Sequence, residues 1–132
     1  MIHRVLRIGS WTVDFLFAEK RYDVEGVLSV LYECGATRKI MRSAERVMDS
    51  KKLNTGFTFT DQEKHRAVVV VGPTYSGKEF IDTLVHEIHH LAVAIANGLG
   101  IDLEGETPAY LSGDTARELA KVICDMGCSQ RE

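Results

Sequence analysis

Charge of one sign, long apolar runs and cysteine are all scarce in this 132-residue chain. The formal net charge is −3 with 27% charged residues, which gives no electrostatic reason to expect nucleic acid or an anionic membrane as a partner. The longest apolar run is far shorter than a membrane span. The N-terminus, MIHRVLRIGSW, lacks the continuous apolar core of a secretory signal. Three cysteines, an odd number, then favour reduced thiols and a cytoplasmic location.

The length and the 45% hydrophobic content predict a single domain over residues 1–132. Alternating or β-branched segments predict strands over residues 3–8, 11–17, 57–60 and 67–71. Helical spacing predicts helices over residues 23–34, 37–52, 78–97 and 107–126. The last two strands are expected to form an antiparallel hairpin, and Gly98 to end the third helix. The fold class expected is therefore α+β, a small and mainly antiparallel sheet packed with helices.

The second predicted helix has a strongly basic side. Its members are Arg38, Lys39, Arg42, Arg46, Lys51 and Lys52. The simplest interpretation is a solvated face, and a functional basic patch is the alternative.

The segment GPTYSGKE, residues 72–79, is one residue short of the phosphate-binding pattern G-x-x-x-x-G-K-[ST]. Glu79 stands where a hydroxyl should hold magnesium, and its carboxylate would repel phosphate. Pro73 removes one of the backbone N–H groups that an anion cradle needs. We therefore interpret the segment as a turn into a helix, with Ser76 as N-cap and Glu79 completing a capping box.

The segment HEIHH, residues 86–90, contains the zinc pattern H-E-x-x-H. At about 100° per residue, His90 lies about 40° from His86 around the helix, and Glu87 about 100° from it. Apolar residues occupy the opposite side: Phe80, Ile81, Leu84, Val85, Ile88, Leu91, Ala92 and Ile95. The spacing thus predicts a metal-binding pair, His86 and His90, with a carboxylate beside it. His89 falls on the other flank, so we interpret it as a neighbour of the ligands that could contact a substrate.

A catalytic zinc needs a third protein ligand. The extended pattern H-E-x-x-H-x-x-G-x-x-H fails here because Val93 and Ala96 occupy its later positions. Glu106 is favoured as the third ligand because it stands at the start of the final helix, which can aim it at the histidines. The alternatives are Glu104, Asp102 and Asp114.

The segments HEIHH (86–90) and ETPAY (106–110) together resemble the Glu-zincin metallopeptidases, most closely the small single-domain zincin-like proteins encoded by bacteria and their phages. The resemblance covers mainly residues 67–126. It implies that His86, His90 and Glu106 bind Zn²⁺ and that Glu87 is the general base. It also implies a zincin-like sheet beside the cleft, whose edge can pair with an extended peptide. The chain departs from larger members of the family at Tyr110, where they have an aspartate.

The function expected from these residues is that of a zinc metallopeptidase. Zinc would activate a water for attack on the peptide bond, with Glu87 taking the water's proton and passing it to the leaving amine. Tyr110 would stabilise the oxyanion or orient Glu87, or would simply pack between helices. Asp114 would hydrogen-bond a zinc histidine. The alternative is a zinc-binding, non-catalytic zincin-fold interaction protein of a phage or mobile element. The partner expected is a peptide or protein substrate.

Overall fold

The computed structural model describes residues 1–99 and 106–129, apart from the side chains of residues 98, 99, 106–108, 122 and 126–129. Within those residues the elements follow in the order β1 (Ile2–Ile8), β2 (Trp11–Phe17), α1 (Val24–Glu33), α2 (Arg38–Asp49), β3 (Gly56–Asp61), β4 (Arg66–Val71), α3 (Gly77–Leu99), α4 (Glu106–Glu118) and α5 (Ala120–Ser129). The four predicted strands and the hairpin between β3 and β4 are confirmed. Thr37 is the N-cap of α2, because its side chain accepts a hydrogen bond from the backbone N–H of Ile40.

The four strands form one sheet in the order β1-β2-β4-β3. The outer pairs, β1 with β2 and β3 with β4, are antiparallel, whereas β2 and β4 run parallel at the centre. The predicted α+β class with a mainly antiparallel sheet is therefore confirmed. The valine-rich strand β4 lies inside the sheet, and β3 is one of its two edges.

Helices cover both faces of the sheet, because alternate residues of each central strand point to opposite sides. One face of β2 and β4 packs on α3 and on the C-terminal helices, and its buried residues include Val13, Phe15, Phe17, Val69, Val71, Leu84, Ile88 and Leu119. The other face packs on α1 and α2 through Leu16, Val68, Val70, Leu31, Ala44 and Met48. The sheet thus separates an α3 side from an α2 side.

The C-terminal region differs from the single helix predicted over residues 107–126, since two helices, α4 and α5, meet at Leu119. The Thr115 hydroxyl donates to the carbonyl of Leu111 at 2.7 Å, a contact that bends helices. The Leu119 N–H is shared between the carbonyls of Thr115 and Ala116. Its fully buried side chain fixes the bend against the α3 side.

The prediction that α3 ends before Gly98 is also wrong. The helix continues through Gly98 to Leu99. A glycine inside a helix costs only about 1 kcal/mol relative to alanine, so it does not by itself stop one.

The buried carboxylate of Asp14 in β2 has two side-chain partners, His3 and Arg66. His3 Nε2 lies 2.7 Å from one of its oxygens, and the Arg66 guanidinium donates to the other at 3.2 Å. The same Arg66 nitrogen is 3.1 Å from the sulfur of Cys34, and burial raises the pKa of that thiol. Cys34 is a buried free thiol, whereas Cys124 is exposed.

Candidate functional site

Ser76 caps the start of α3, as the sequence predicts. The backbone N–H of Glu79 donates to Ser76 Oγ at 3.3 Å, and the N–H of Phe80 donates to the Ser76 carbonyl. Gly72 serves close packing here, because a Cβ at this position would meet the hydroxyl of Tyr22. The segment is therefore a turn and a helix cap, and it places the following helix across the sheet.

His86 and His90 meet on the exposed side of α3. Their Nε2 atoms are 3.1 Å apart, and their rings stand edge to face with centroids separated by 4.6 Å. Two imidazole nitrogens on a tetrahedral zinc, with bonds of about 2.0–2.1 Å, would lie about 3.4 Å apart. The pair therefore fits a metal ion with little adjustment, as the 40° spacing predicts.

Glu87 lies on the buried side of the helix, only 4% exposed. The Thr58 hydroxyl of β3 donates to Glu87 Oε1 at 2.9 Å. The buried side of α3 thus extends further toward Glu87 than the apolar pattern predicts, and Val85 on the other flank is 59% exposed. The reason is that the edge strand β3 covers the Glu87 flank.

Gly56, Thr83 and Tyr22 also lie near Glu87. A Cβ on Gly56 would lie 3.1 Å from Glu87 Cγ and 3.3 Å from Thr83 Cγ2, so β3 and α3 approach closely at this point. Tyr22 bonds the hydroxyl of Thr55 at 2.7 Å. Burial raises the pKa of the Tyr22 phenol, the bond to Thr55 opposes this rise, and the negative charge of Glu87 adds to it. Glu87 is thus buried against the edge strand β3, with the Thr58 hydroxyl and the Tyr22 phenol as its polar neighbours.

Sequence reasoning missed these neighbours. The alternation Phe57-Thr58-Phe59-Thr60 predicts that both threonines share one face of a strand. It does not show which helix that face meets, because the contact joins residues 29 positions apart.

Most candidates for the third zinc ligand lie outside the described residues. Glu106 is the first residue of α4, but its side chain is not among the described ones. Asp102 and Glu104 lie wholly outside the described residues. Asp114 is exposed and pairs with Arg117 at 3.1 Å. In the described residues, no group of three or more His, Cys, Asp and Glu side chains is placed to hold a metal. Glu106 therefore stays a prediction.

The remaining candidates lie at the surface. Tyr110 is 66% exposed, so it is not packed in a seam between helices. The exposed His89 ring has its centroid 6.4 Å from that of His90, which fits a neighbour of the pair.

Comparison of the chain with protein-family models, with curated proteins and with solved structures finds no match. No helix in the described part of the chain combines the length and the apolar character needed to cross a bilayer. The case for a function therefore rests on the site's own geometry.

Proposed function

We propose that this protein is a zinc-dependent peptidase in which His86, His90 and Glu106 hold the metal and Glu87 is the general base. The observation that carries the proposal is the Nε2 pair of His86 and His90, 3.1 Å apart on an exposed helix face. A buried carboxylate one residue along the helix completes the H-E-x-x-H chemistry.

The donor set suits zinc. Neutral imidazole nitrogens and a carboxylate oxygen are its usual ligands at catalytic sites, and three protein ligands leave one position open. Bound there, zinc supplies Lewis acidity toward a carbonyl oxygen and lowers the pKa of water toward neutrality. Both histidines are exposed, so metal and substrate can reach them from solvent.

Glu87 is the group that moves the proton. The Thr58 hydroxyl holds one of its carboxylate oxygens, and close packing against Gly56 restricts the side chain. A carboxylate fixed in this way takes the proton of the attacking water and returns it to the leaving amine.

A peptide substrate is supported by the position of β3. This strand is an edge of the sheet and contacts Glu87 directly, and the main chain of an edge strand can pair with an extended peptide. We propose a cytoplasmic site of action because a free, buried Cys34 fits a reducing compartment.

Replacing Glu87 by glutamine tests the proposal. Glu87→Gln keeps the shape of the side chain but removes the base, so hydrolysis of a peptide library should fall by about 10²–10⁴-fold with the zinc content unchanged. The matched control is Glu79→Gln in the first turn of the same helix, which should cleave within about twofold of the wild type. Cleavage products are measured by mass spectrometry.

Two results contradict the proposal. Glu87→Gln with full activity would remove Glu87 from the chemistry. A wild-type protein that holds zinc firmly and cleaves no member of the library would instead support a non-catalytic zinc-binding interaction protein.

A further inference from the structure

A groove of about 350 Å³ lies between α2 and the edge strand β3, on the side of the sheet away from α3. Four consecutive β3 residues, Phe57–Thr60, form one wall. The other wall consists of Ile40, Ser43, Ala44 and Val47 of α2. None of these lining residues belongs to α3, so the groove is separate from the histidine pair.

The two walls differ in chemistry. The α2 residues recur at i, i+3, i+4 and i+7, which places them in one stripe along the helix. In the described part of the chain, β3 pairs with β4 alone, so the outer main chain of β3 is the open edge of the sheet. No charged side chain lines the groove. The interior thus suits an apolar side chain beside an extended main chain.

Positive charge is concentrated next to this groove. Residues 38–52, which comprise α2 and the start of the following turn, contain six basic and two acidic residues in a chain whose net charge is −3. Among the described residues, the ion pairs include none of the four basic side chains of α2 itself.

Arg46 brings one of these charges next to the groove. Its guanidinium donates to Ser43 Oγ at 3.2 Å, and Ser43 lines the groove. Arginine offers several N–H donors in a planar fork and binds carboxylates with two parallel hydrogen bonds. The groove therefore has an uncharged, largely apolar interior, and a carboxylate-binding cation lies beside its α2 wall.

We propose that this groove binds an extended peptide segment in which acidic residues flank an apolar side chain. The apolar side chain enters between α2 and β3, and a flanking carboxylate pairs with Arg46. A peptide fits better than a nucleic acid because the lining is uncharged and four of its eight residues belong to an edge strand. Neither the histidine pair nor Glu87 takes part, so the inference does not depend on hydrolysis.

Fluorescence anisotropy with three labelled peptides tests the recognition chemistry. The first carries one phenylalanine flanked by glutamates, the second has glutamines in place of the glutamates, and the third has alanine in place of the phenylalanine. We expect the first peptide to bind about tenfold more tightly than either of the others. Equal binding of the glutamine peptide would overturn the proposal, and so would tighter binding of a single-stranded RNA of equal charge.

A pair of arginine variants tests whether the peptide binds at this groove. Arg46→Gln and Arg38→Gln each remove one positive charge from α2, but Arg38 lies about 140° around the helix from Ser43. Arg46→Gln should weaken binding of the first peptide about tenfold, and Arg38→Gln by less than about twofold. Equal losses in the two variants would contradict docking at the groove.

Discussion

Glu87 depends for its orientation on Thr58, a residue 29 positions earlier in the chain. A buried carboxylate is costly unless it is hydrogen-bonded. The Thr58 hydroxyl also lies 3.4 Å from the Glu87 backbone carbonyl. It therefore contacts both the side chain and the main chain of Glu87. At the scale of single residues, the edge strand rather than the helix itself fixes the proposed base.

Replacing Thr58 by valine tests this dependence. Thr58→Val keeps the branched shape but removes the donor, which leaves a buried carboxylate oxygen without this bond. We expect the free energy of unfolding to fall by about 1–3 kcal/mol and the peptidase kcat to fall by about 10–100-fold. Urea unfolding and steady-state kinetics measure the two effects.

Thr60→Val is the matched control, since Thr60 lies two residues along the same strand on the same face. It should change kcat by less than about twofold. A Thr58→Val enzyme with unchanged kcat would show that the hydroxyl does not position Glu87.

The sequence predicts part of this site correctly. Helical spacing alone brings His86 and His90 together, because residues four apart share a helix face. The same spacing cannot show that Glu87 is buried, since its burial is caused by β3. No local pattern marks Tyr22 as its electrostatic neighbour, because that contact depends on the tertiary fold.

At the scale of elements, β3 approaches α3 unusually closely at Gly56. A Cβ there would lie 2.7 Å from the backbone carbonyl of Val70 in the neighbouring strand, as well as against Glu87. Backbone atoms give way less easily than flexible side chains. Glycine at position 56 therefore avoids a clash with the backbone of β4 and a tight contact with Glu87 and Thr83 of α3.

Gly56→Ala should for this reason destabilise the protein by about 1–3 kcal/mol and reduce peptidase activity as well. Gly113→Ala is the opposite case. Gly113 lies within α4 with open space around its Cα, so alanine there should stabilise the protein by about 0.4–1 kcal/mol. Thermal and urea unfolding of both variants measure the difference. A Gly56→Ala protein as stable and as active as Gly113→Ala would contradict the close approach.

Most elements could be predicted from local pattern, whereas two features of their arrangement could not. The strands β1, β2, β3 and β4 follow from alternation and β-branched residues. The parallel pairing of β2 with β4 joins strands separated by two helices and the strand β3, and nothing within either strand specifies that partner. The bend at Leu119 depends on the hydroxyl of Thr115, whose neighbours still have helical spacing.

At the scale of the whole molecule, one sheet separates two surfaces of different chemistry. The α3 side presents the histidine pair, and the α2 side presents a basic helix beside an uncharged groove. The edge strand β3 contributes to both, through Thr58 toward Glu87 and through Phe57 and Phe59 toward α2. Because both proposals involve β3, they are tested separately by variants on either side of the sheet, Glu87→Gln for hydrolysis and Arg46→Gln for the groove.

The zinc content of the purified protein tests the central claim most directly. After dialysis to remove loosely bound ions, the number of zinc ions per chain is measured by mass spectrometry. The wild type is compared with His86→Ala, His90→Ala and His89→Ala. We predict about one zinc per chain in the wild type, which is the stoichiometry of a single site. His89→Ala should retain it, and His86→Ala and His90→Ala should lose it. A wild-type protein without zinc, or undiminished zinc in His86→Ala and His90→Ala, would contradict the account.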